Sequence, residues 1–283
     1  MITRLEVFSA SESAPELQLG NLALANSDPV QIRDIDGLGP VKANINTTAL
    51  ASGRGEVLQG TTTGKRNIVL SLGLNPDWAA QTMSSLRQLL YAYFLPEAWC
   101  KLRFFSDHLP VVDIEGYVES FEPNIFSQDP EIQVSIVCPK PDFIEADATY
   151  LSGVVDTGEE EHVFDYLGTV PTGFEMRVES SAENVAYTGN LAVIVKSPTV
   201  PQTFEVDPIT IDATRNFKLS TVRNHKRVQN VTTSDGTVLN RLSAMTDVSV
   251  WPELKPGENA LTVAAAEAGQ TWTLAYFNRY GGL

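Results

Sequence analysis

Apolar residues alternate with polar ones along much of the chain, a pattern typical of β-strands that bury one face. The cleanest run is residues 131–137, in which Ile132, Val134 and Ile136 alternate with polar neighbours. Shorter runs of the same kind cover residues 68–74, 101–105 and 111–118. The pattern therefore predicts a mainly β structure in the first half of the chain.

One stretch, residues 76–95, follows a helical period instead. Asn75 is a suitable N-cap, Pro76 suits the first helical position, and Pro96 ends the pattern. We expect one amphipathic helix that packs an apolar stripe on a sheet. The stripe consists of Ala79, Met83, Leu86, Leu90 and Phe94.

Two prolines follow the strand pattern of residues 131–137, at Pro139 and Pro141, and predict a domain boundary there. The expected first domain is residues 1–142 and the second is residues 143–283. The second half lacks a strong helical period and contains short alternating runs between turn signals, which favours an antiparallel β-sandwich. Those runs are residues 174–178, 191–195, 204–206, 209–211, 217–222, 261–264 and 271–277.

A polar, glycine-containing segment, residues 49–67, separates two predicted strands. Val41, Ala43 and Ile45 alternate before it, and we expect them on a buried sheet face. The segment predicts either a mobile loop or a protruding hairpin arm that contacts a neighbouring subunit. The candidate contact residues of that arm are Arg54, Glu56, Lys65 and Arg66.

The formal net charge is −15 and is spread evenly, at −7 for residues 1–142 and −8 for residues 143–283. An acidic surface repels phosphate backbones, so binding to nucleic acid is not expected. One basic cluster stands apart and is either a solvated hairpin face or a subunit contact. It consists of Arg215, Lys218, Arg223, Lys226 and Arg227.

Two cysteines, Cys100 and Cys138, are too few for a disulfide framework, and we expect both to be buried thiols. No apolar run reaches the roughly 20 residues that a membrane helix needs, and the first residues lack the apolar core of a signal peptide. We therefore expect a protein that is made and folded in a cytoplasm and is not inserted in a membrane.

The sequence lacks the motifs that support catalysis. It contains neither a phosphate-binding glycine loop nor a nucleophile elbow, and its histidines, His108, His162 and His225, lack metal-ligand spacing. The acidic run of residues 159–161 beside His162 is expected to be a solvated loop. A triad that includes Asp107 and His108 is defined by geometry and is left open by the sequence. We expect no enzyme activity, no metal and no cofactor.

Four phrases along the chain together resemble the distal tail protein family of siphophage tails. The first domain ends in VSIVCPKPDF, and the second contains FDYLGTVPTGFEM near its start. The chain closes with VWPELKPGENALTV and TWTLAYFNRYGGL. The resemblance covers essentially the whole chain and depends on the order and spacing of these phrases.

This resemblance implies a tail-tube-like β-sandwich or split barrel with one helix, followed by a galectin-like antiparallel β-sandwich. It implies a structural protein of the virion tail, made in the bacterial host cytoplasm, that forms a hexameric ring joining the tail tube to the tail tip or baseplate. The implied partners are the tail tube protein, the tail tip hub protein and a receptor-binding protein or host glycan. DNA would only pass through the ring lumen.

Two other functions fit the same features. A carbohydrate-binding module would use an exposed aromatic side chain, for which Trp251 is the candidate, because Trp272 lies in an alternating strand and is expected in the core. A tail-tube protein with an added decorating domain would differ in forming stacked rings instead of one ring.

Overall fold

The computed structural model describes residues 2–9, 17–19, 29–50, 53–79, 81–124, 130–158, 160–180, 186–197, 200–267 and 269–283. Antiparallel strands dominate this part of the chain, which also contains one α-helix and one short 3-10 helix. The prediction of a mainly β fold with a single α-helix is confirmed.

The chain divides into two compact units. Unit 1 comprises residues 1–146 and 280–283, and unit 2 comprises residues 147–279. Unit 2 is thus inserted in the sequence of unit 1, and residues 280–283 belong to unit 1 although they follow unit 2.

The strands of unit 1 are β1 (Ile2–Ser9), β2 (Leu17–Leu19), β3 (Val30–Asp36), β4 (Ala43–Ala49), β5 (Glu56–Thr63), β6 (Arg66–Leu74), β7 (Trp99–Ser106), β8 (Val112–Asn124), β9 (Glu131–Cys138), β10 (Phe143–Glu145) and β21 (Arg279–Tyr280). Most of them form one antiparallel sheet with the order β2-β1-β7-β8-β9-β6-β3, in which β10 also pairs with β8, and β21 pairs with β10. The long strand β8 pairs with β9 along its second half and with β10 along its first residues.

The apolar alternation of β6 and β9 places one complete face of each strand in the core of unit 1. β9 buries Ile132, Val134 and Ile136, as predicted. Each buried side chain of this size contributes about 1.5–3 kcal/mol to folding, so the paired strands supply much of the stability of unit 1.

The α-helix α1 is shorter than predicted and runs over Met83–Tyr93 instead of residues 76–95. Thr82 is its N-cap: the Thr82 hydroxyl accepts from the Ser85 N–H, and the Ser85 hydroxyl accepts from the Thr82 N–H. This capping box satisfies two N–H groups at the start of the helix, so the first turn forms there and Asn75 does not cap it. Of the predicted stripe, Leu86, Leu90 and Phe94 are buried, and Ala79 is exposed before the helix.

The guanidinium of Arg66 lies inside unit 1, with 2% of the residue exposed. It donates four hydrogen bonds to backbone carbonyls, from Nε to Pro141 (2.6 Å), from Nη1 to Gly37 (2.5 Å) and Gly39 (2.6 Å), and from Nη2 to Gly281 (2.6 Å). Burial lowers the pKa of the Arg66 guanidinium, and electrostatic interactions with Cys138 and Asp142 oppose that lowering. One side chain therefore joins a turn, the end of the first sheet and the returning C-terminal segment.

The returning segment is also held by its backbone. β21 pairs with β10, and the Leu283 N–H donates to the Leu38 carbonyl at 3.0 Å. The turn that receives it contains Gly37 at φ +87, where an added Cβ would collide with the Asn67 carbonyl. Only glycine fits this turn without strain.

The elements of unit 2 are β11 (Thr149–Val154), β12 (His162–Tyr166), β13 (Phe174–Glu179), β14 (Tyr187–Ser197), β15 (Val200–Ile211), β16 (Arg215–Ser220), β17 (Arg227–Thr232), β18 (Val238–Asn240), the 3-10 helix Leu242–Ala244, β19 (Gly257–Ala265) and β20 (Thr271–Tyr276). The strands form two antiparallel sheets, β11-β20-β13-β16-β17-β18 and β12-β19-β14-β15. The two sheets share one apolar core that includes Phe174, Val193, Phe217 and Trp272, so Trp272 is a core residue as predicted. Two predicted strands, residues 204–206 and 209–211, form one continuous strand, β15.

Both cysteines are free thiols in the core of unit 1, as predicted. They are accommodated beside Gly116, where an added Cβ would lie 2.8 Å from the Cys138 Sγ. Burial raises the pKa of Cys100 to about 12 and that of Cys138 to about 11. Both groups therefore stay protonated and unreactive at neutral pH, because the thiolate is the nucleophilic form.

Arg66→Ala is expected to lower the free energy of unfolding of unit 1 by about 3 kcal/mol, because four backbone carbonyls lose a charged donor. Urea denaturation followed by circular dichroism measures the loss. Arg66→Lys is expected to recover only part of it, since an ammonium group does not have the planar fork of a guanidinium. Arg54→Ala, at an exposed arginine, is the control; an equal loss in that variant would contradict a specific role for Arg66.

Neither thiol is expected to react with an aromatic disulfide reagent at pH 8 in the native protein, and both are expected to react in urea. The raised folded pKa values also predict that stability falls as the pH rises from about 9 to about 12, because the unfolded thiols ionise first. The double variant Cys100→Ala, Cys138→Ala should show a smaller fall. Rapid labelling of the native protein would contradict the buried, protonated state.

Candidate assembly surfaces

Strands β4 and β5 form a hairpin that pairs with no other described strand. Its register runs from Ala43 opposite Thr63 to Ala49 opposite Glu56, with one irregularity after Asn46. All residues of β4 are exposed, as are all residues of β5 except Gly60. Both faces of the hairpin are therefore open to solvent; we call residues 43–63 the arm.

The arm carries apolar side chains that unit 1 does not cover. Ile45 is 64% exposed, Leu58 is 59% exposed, and Val57 is 47% exposed. The prediction that Ala43 and Ile45 lie on a buried face is wrong, because both residues are exposed and no described strand of unit 1 pairs with the arm. An isolated two-stranded hairpin is marginally stable in water, so such an element gains stability when another surface covers it.

The four candidate arm residues separate into two groups in the structure. Arg54 lies in the turn of the arm, and Glu56 begins β5, where its carboxylate accepts from the Thr47 hydroxyl. Lys65 is exposed just after the arm. The assignment of Arg66 to the arm is wrong: its side chain is buried, because the carbonyls that it satisfies surround the start of β6.

A second group of exposed apolar residues lies on and beside α1. Leu89 and Tyr91 project from the helix, Trp78 precedes it, and Leu95 follows it. Trp78 is 73% exposed, and the Tyr91 ring contacts the Phe121 ring at a centroid distance of 4.9 Å. Large exposed apolar side chains of this kind are typical of protein contact surfaces.

The side chains that suggested chemistry do not meet in the described structure. His108 and His225 are exposed, and His162 packs edge-on against Trp272 at a centroid distance of 5.0 Å. Glu161 pairs with Lys196, whereas residue 159 lies outside the described residues. Within the described ranges, no three His, Cys, Asp or Glu side chains are grouped so that they could hold a metal ion.

Trp251, the candidate glycan contact, is partly buried. Its ring packs against Phe204 at a centroid distance of 5.2 Å, and the Lys226 ammonium lies 5.3 Å from the ring centroid. These contacts leave less of the ring available than an open stacking platform would offer.

The exposed apolar residues of the arm were not found by sequence reasoning. The available signal was the run of small polar residues on both faces around Ile45, which no buried strand would carry.

Among the described residues, the structure contains no helix with the length and apolar character that a membrane span requires.

Comparison with known proteins identifies a family for the first unit. Residues 17–155 match the family model of the phage tail protein RIFT-related domain. No curated protein sequence matches the chain.

A similar fold is found in the crystal structure of SPP1 Dit (gp 19.1), which is described as a paradigm of the hub adsorption apparatus in phages that infect Gram-positive bacteria. The two share 12% identity at a TM-score of 0.65, and the match covers 97% of this chain and 98% of that one. A baseplate chain of phage P2 matches at 9% identity and a TM-score of 0.42, over 97% of this chain and 98% of that one. The similarity to SPP1 Dit extends over both units, so the chain shares its two-unit β fold.

The family match spans most of unit 1, and the shared fold spans the whole chain. The resemblance to siphophage tail proteins that the four sequence phrases indicate is confirmed by these two independent matches. Residues 17–155 therefore match the phage tail protein RIFT-related domain, and the fold of the whole chain is similar to that of SPP1 Dit.

Proposed function

We propose that this protein is a structural hub of a siphophage tail, in which six copies form a closed ring between the tail tube and the tail tip or baseplate. The observation that carries the proposal is the arm, whose two faces and apolar side chains are uncovered in a single chain. A subunit in a ring meets its neighbours through two different surfaces, and an arm that reaches forward supplies one of them.

The second surface in this proposal is the exposed apolar group beside α1, which includes Trp78 and Leu89. The arm of one copy would cover apolar surface of the next, and burial of apolar area drives such association. A chain with a net charge of −15 would also give a ring lumen through which DNA passes without adhering.

The role is structural in this proposal, with no catalytic step. Its partners are the tail tube protein on one side of the ring and a tail tip or receptor-binding component on the other. The galectin-like sandwich implied by the resemblance corresponds here to unit 2, which would carry the peripheral components.

The ring should be visible with the purified protein. Light scattering after size exclusion is expected to give a mass that rises to that of six chains with concentration, and negative-stain images should show rings with an open centre. Open-ended tubes would instead favour a decorated tail-tube protein. A monomer at every concentration would contradict assembly without other tail proteins.

The double variant Ile45→Ser, Leu58→Ser is expected to weaken ring formation by at least about tenfold, because the arm loses apolar contact area while no core residue changes. The matched control is Val163→Ser, which removes an equally exposed apolar residue from a strand of unit 2. Circular dichroism and the urea midpoint should remain those of the original protein in both variants. Rings that form normally in the double variant would show that the arm is not the contact.

A further inference from the structure

The outer face of the six-stranded sheet of unit 2 forms a groove with a volume of about 670 Å³. Its floor lies on the central strands β13, β16 and β17. Except for Val231, the side chains of these strands that line the groove from the outward face are polar or charged, whereas inward ones, such as Leu219, belong to the core. The groove-lining residues used below are Glu175, Arg177, Lys218, Ser220, Arg227, Gln229 and Thr273.

Two cations lie close together in this groove. The register places Lys218 opposite Gln229 and Ser220 opposite Arg227, so all four side chains share one face across two strands. Lys218 and Arg227 are exposed, and neither forms an ion pair with any described residue.

Two neighbouring arginines, unlike Lys218 and Arg227, form ion pairs. Arg177 pairs with Glu179 beside the groove cations, and Arg215 pairs with Asp212 at 3.6 Å at the other end of β16. The groove therefore keeps two cations available on a chain whose net charge is −15. Free cations in a concave site attract an anionic group.

Ser220 gives a second, independent indication of a ligand. The residue is 7% exposed, and its hydroxyl has no hydrogen-bond partner among the described residues. A buried hydroxyl without a partner is unfavourable, so a ligand or a water molecule that bonds to it stabilises the site. Its position between Glu175 and Arg227 in the register places it in the floor of the groove.

The position of the groove on paired strands favours a sugar chain over an added peptide strand as its ligand. A peptide that adds to a sheet needs an open edge, whereas β13, β16 and β17 are each paired on both sides. Recognition here must use side chains alone, and Gln229, Thr273 and Glu175 offer both donors and acceptors to hydroxyl groups.

An aromatic ring stands at one edge of the same face. Tyr150 lies opposite Ala275, which lines the groove, and is 69% exposed. Aromatic rings present an apolar face together with a polar tip, which suits the faces and hydroxyls of a sugar ring.

We propose that this groove binds an anionic saccharide, a sugar chain that carries carboxylate or phosphate groups. Lys218 and Arg227 bind the anionic group, and Ser220 and Gln229 bind neighbouring oxygen atoms. The groove shares no residue with the arm and does not include Trp251, so a failure to bind sugar would leave the proposed ring unaffected.

Isothermal titration of the full chain tests the proposal with two anionic probes, tetragalacturonate and glucose 6-phosphate. Binding of either is expected, with an affinity that falls as salt is raised because the cations are exposed. Lys218→Gln and Arg227→Gln should each weaken binding by about tenfold, the effect of one charge-assisted hydrogen bond. Ser220→Ala should weaken it by a smaller factor.

The matched control is Arg215→Gln, which removes the same charge from the same strand outside the groove and should leave the affinity unchanged. Circular dichroism establishes that each variant is folded. Equal binding of neutral galactotetraose, or equal effects of Arg215→Gln and Arg227→Gln, would overturn the proposal. So would tighter binding of a tetraglutamate peptide or of inorganic phosphate than of both sugars, and so would no binding of either sugar at 10 mM, about the weakest affinity that such a titration detects.

Discussion

The guanidinium of Arg66 and the four backbone carbonyls around it form the interaction on which the closure of unit 1 depends. A charged side chain is stable in a protein interior only when its donors are satisfied, and here all of the acceptors are main-chain groups. The geometry therefore requires that the turn at Gly37, the chain at Pro141 and the segment at Gly281 be in place together. The acceptors are backbone atoms, so no side chain of these residues takes part in the site, although the turn at Gly37 still requires glycine.

Arg66 also lies at the boundary between the sheet of unit 1 and the arm. β6 begins at Arg66 inside the sheet, and the arm ends only a few residues earlier, at Thr63. The arm thus leaves from a firmly held point, although it has no core of its own. A contact element that is weakly structured in one copy and anchored at its base is suited to adapt to the surface that covers it.

Sequence patterns predicted the elements that have a second layer to pack on. Ile132, Val134 and Ile136 alternate and are buried, because α1 and the rest of the sheet supply the covering core. The alternation at Ile45 is of the same kind, yet that side chain is exposed. Periodicity reports which residues share a face, and it does not report whether anything covers that face. The start of the helix was misplaced for a related reason, since Asn75 and Thr82 both satisfy the local rules for a cap.

Other features had no local signal. Arg66 follows a polar segment and resembles a surface residue in sequence, while one of its acceptors lies 215 positions away. The groove in unit 2 depends on register: Lys218 and Arg227 belong to a basic cluster in the sequence, and only the pairing of β16 with β17 shows that Ser220 and Gln229 share their face. Long-range pairing of this kind is decided by the whole fold and not by the residues nearby.

The position of Gly281 also affects the order in which the two units can complete their folding. A ribosome synthesises Arg66 early and Gly281 only after the whole of unit 2, so the guanidinium lacks its last acceptor throughout that interval. Domains usually fold one after another as they emerge, but here the earlier unit is completed last. A nascent chain that stops before residue 279 would leave β10 without β21 and the Arg66 guanidinium without its acceptor at Gly281, so its unit 1 would be less stable than that of the full chain.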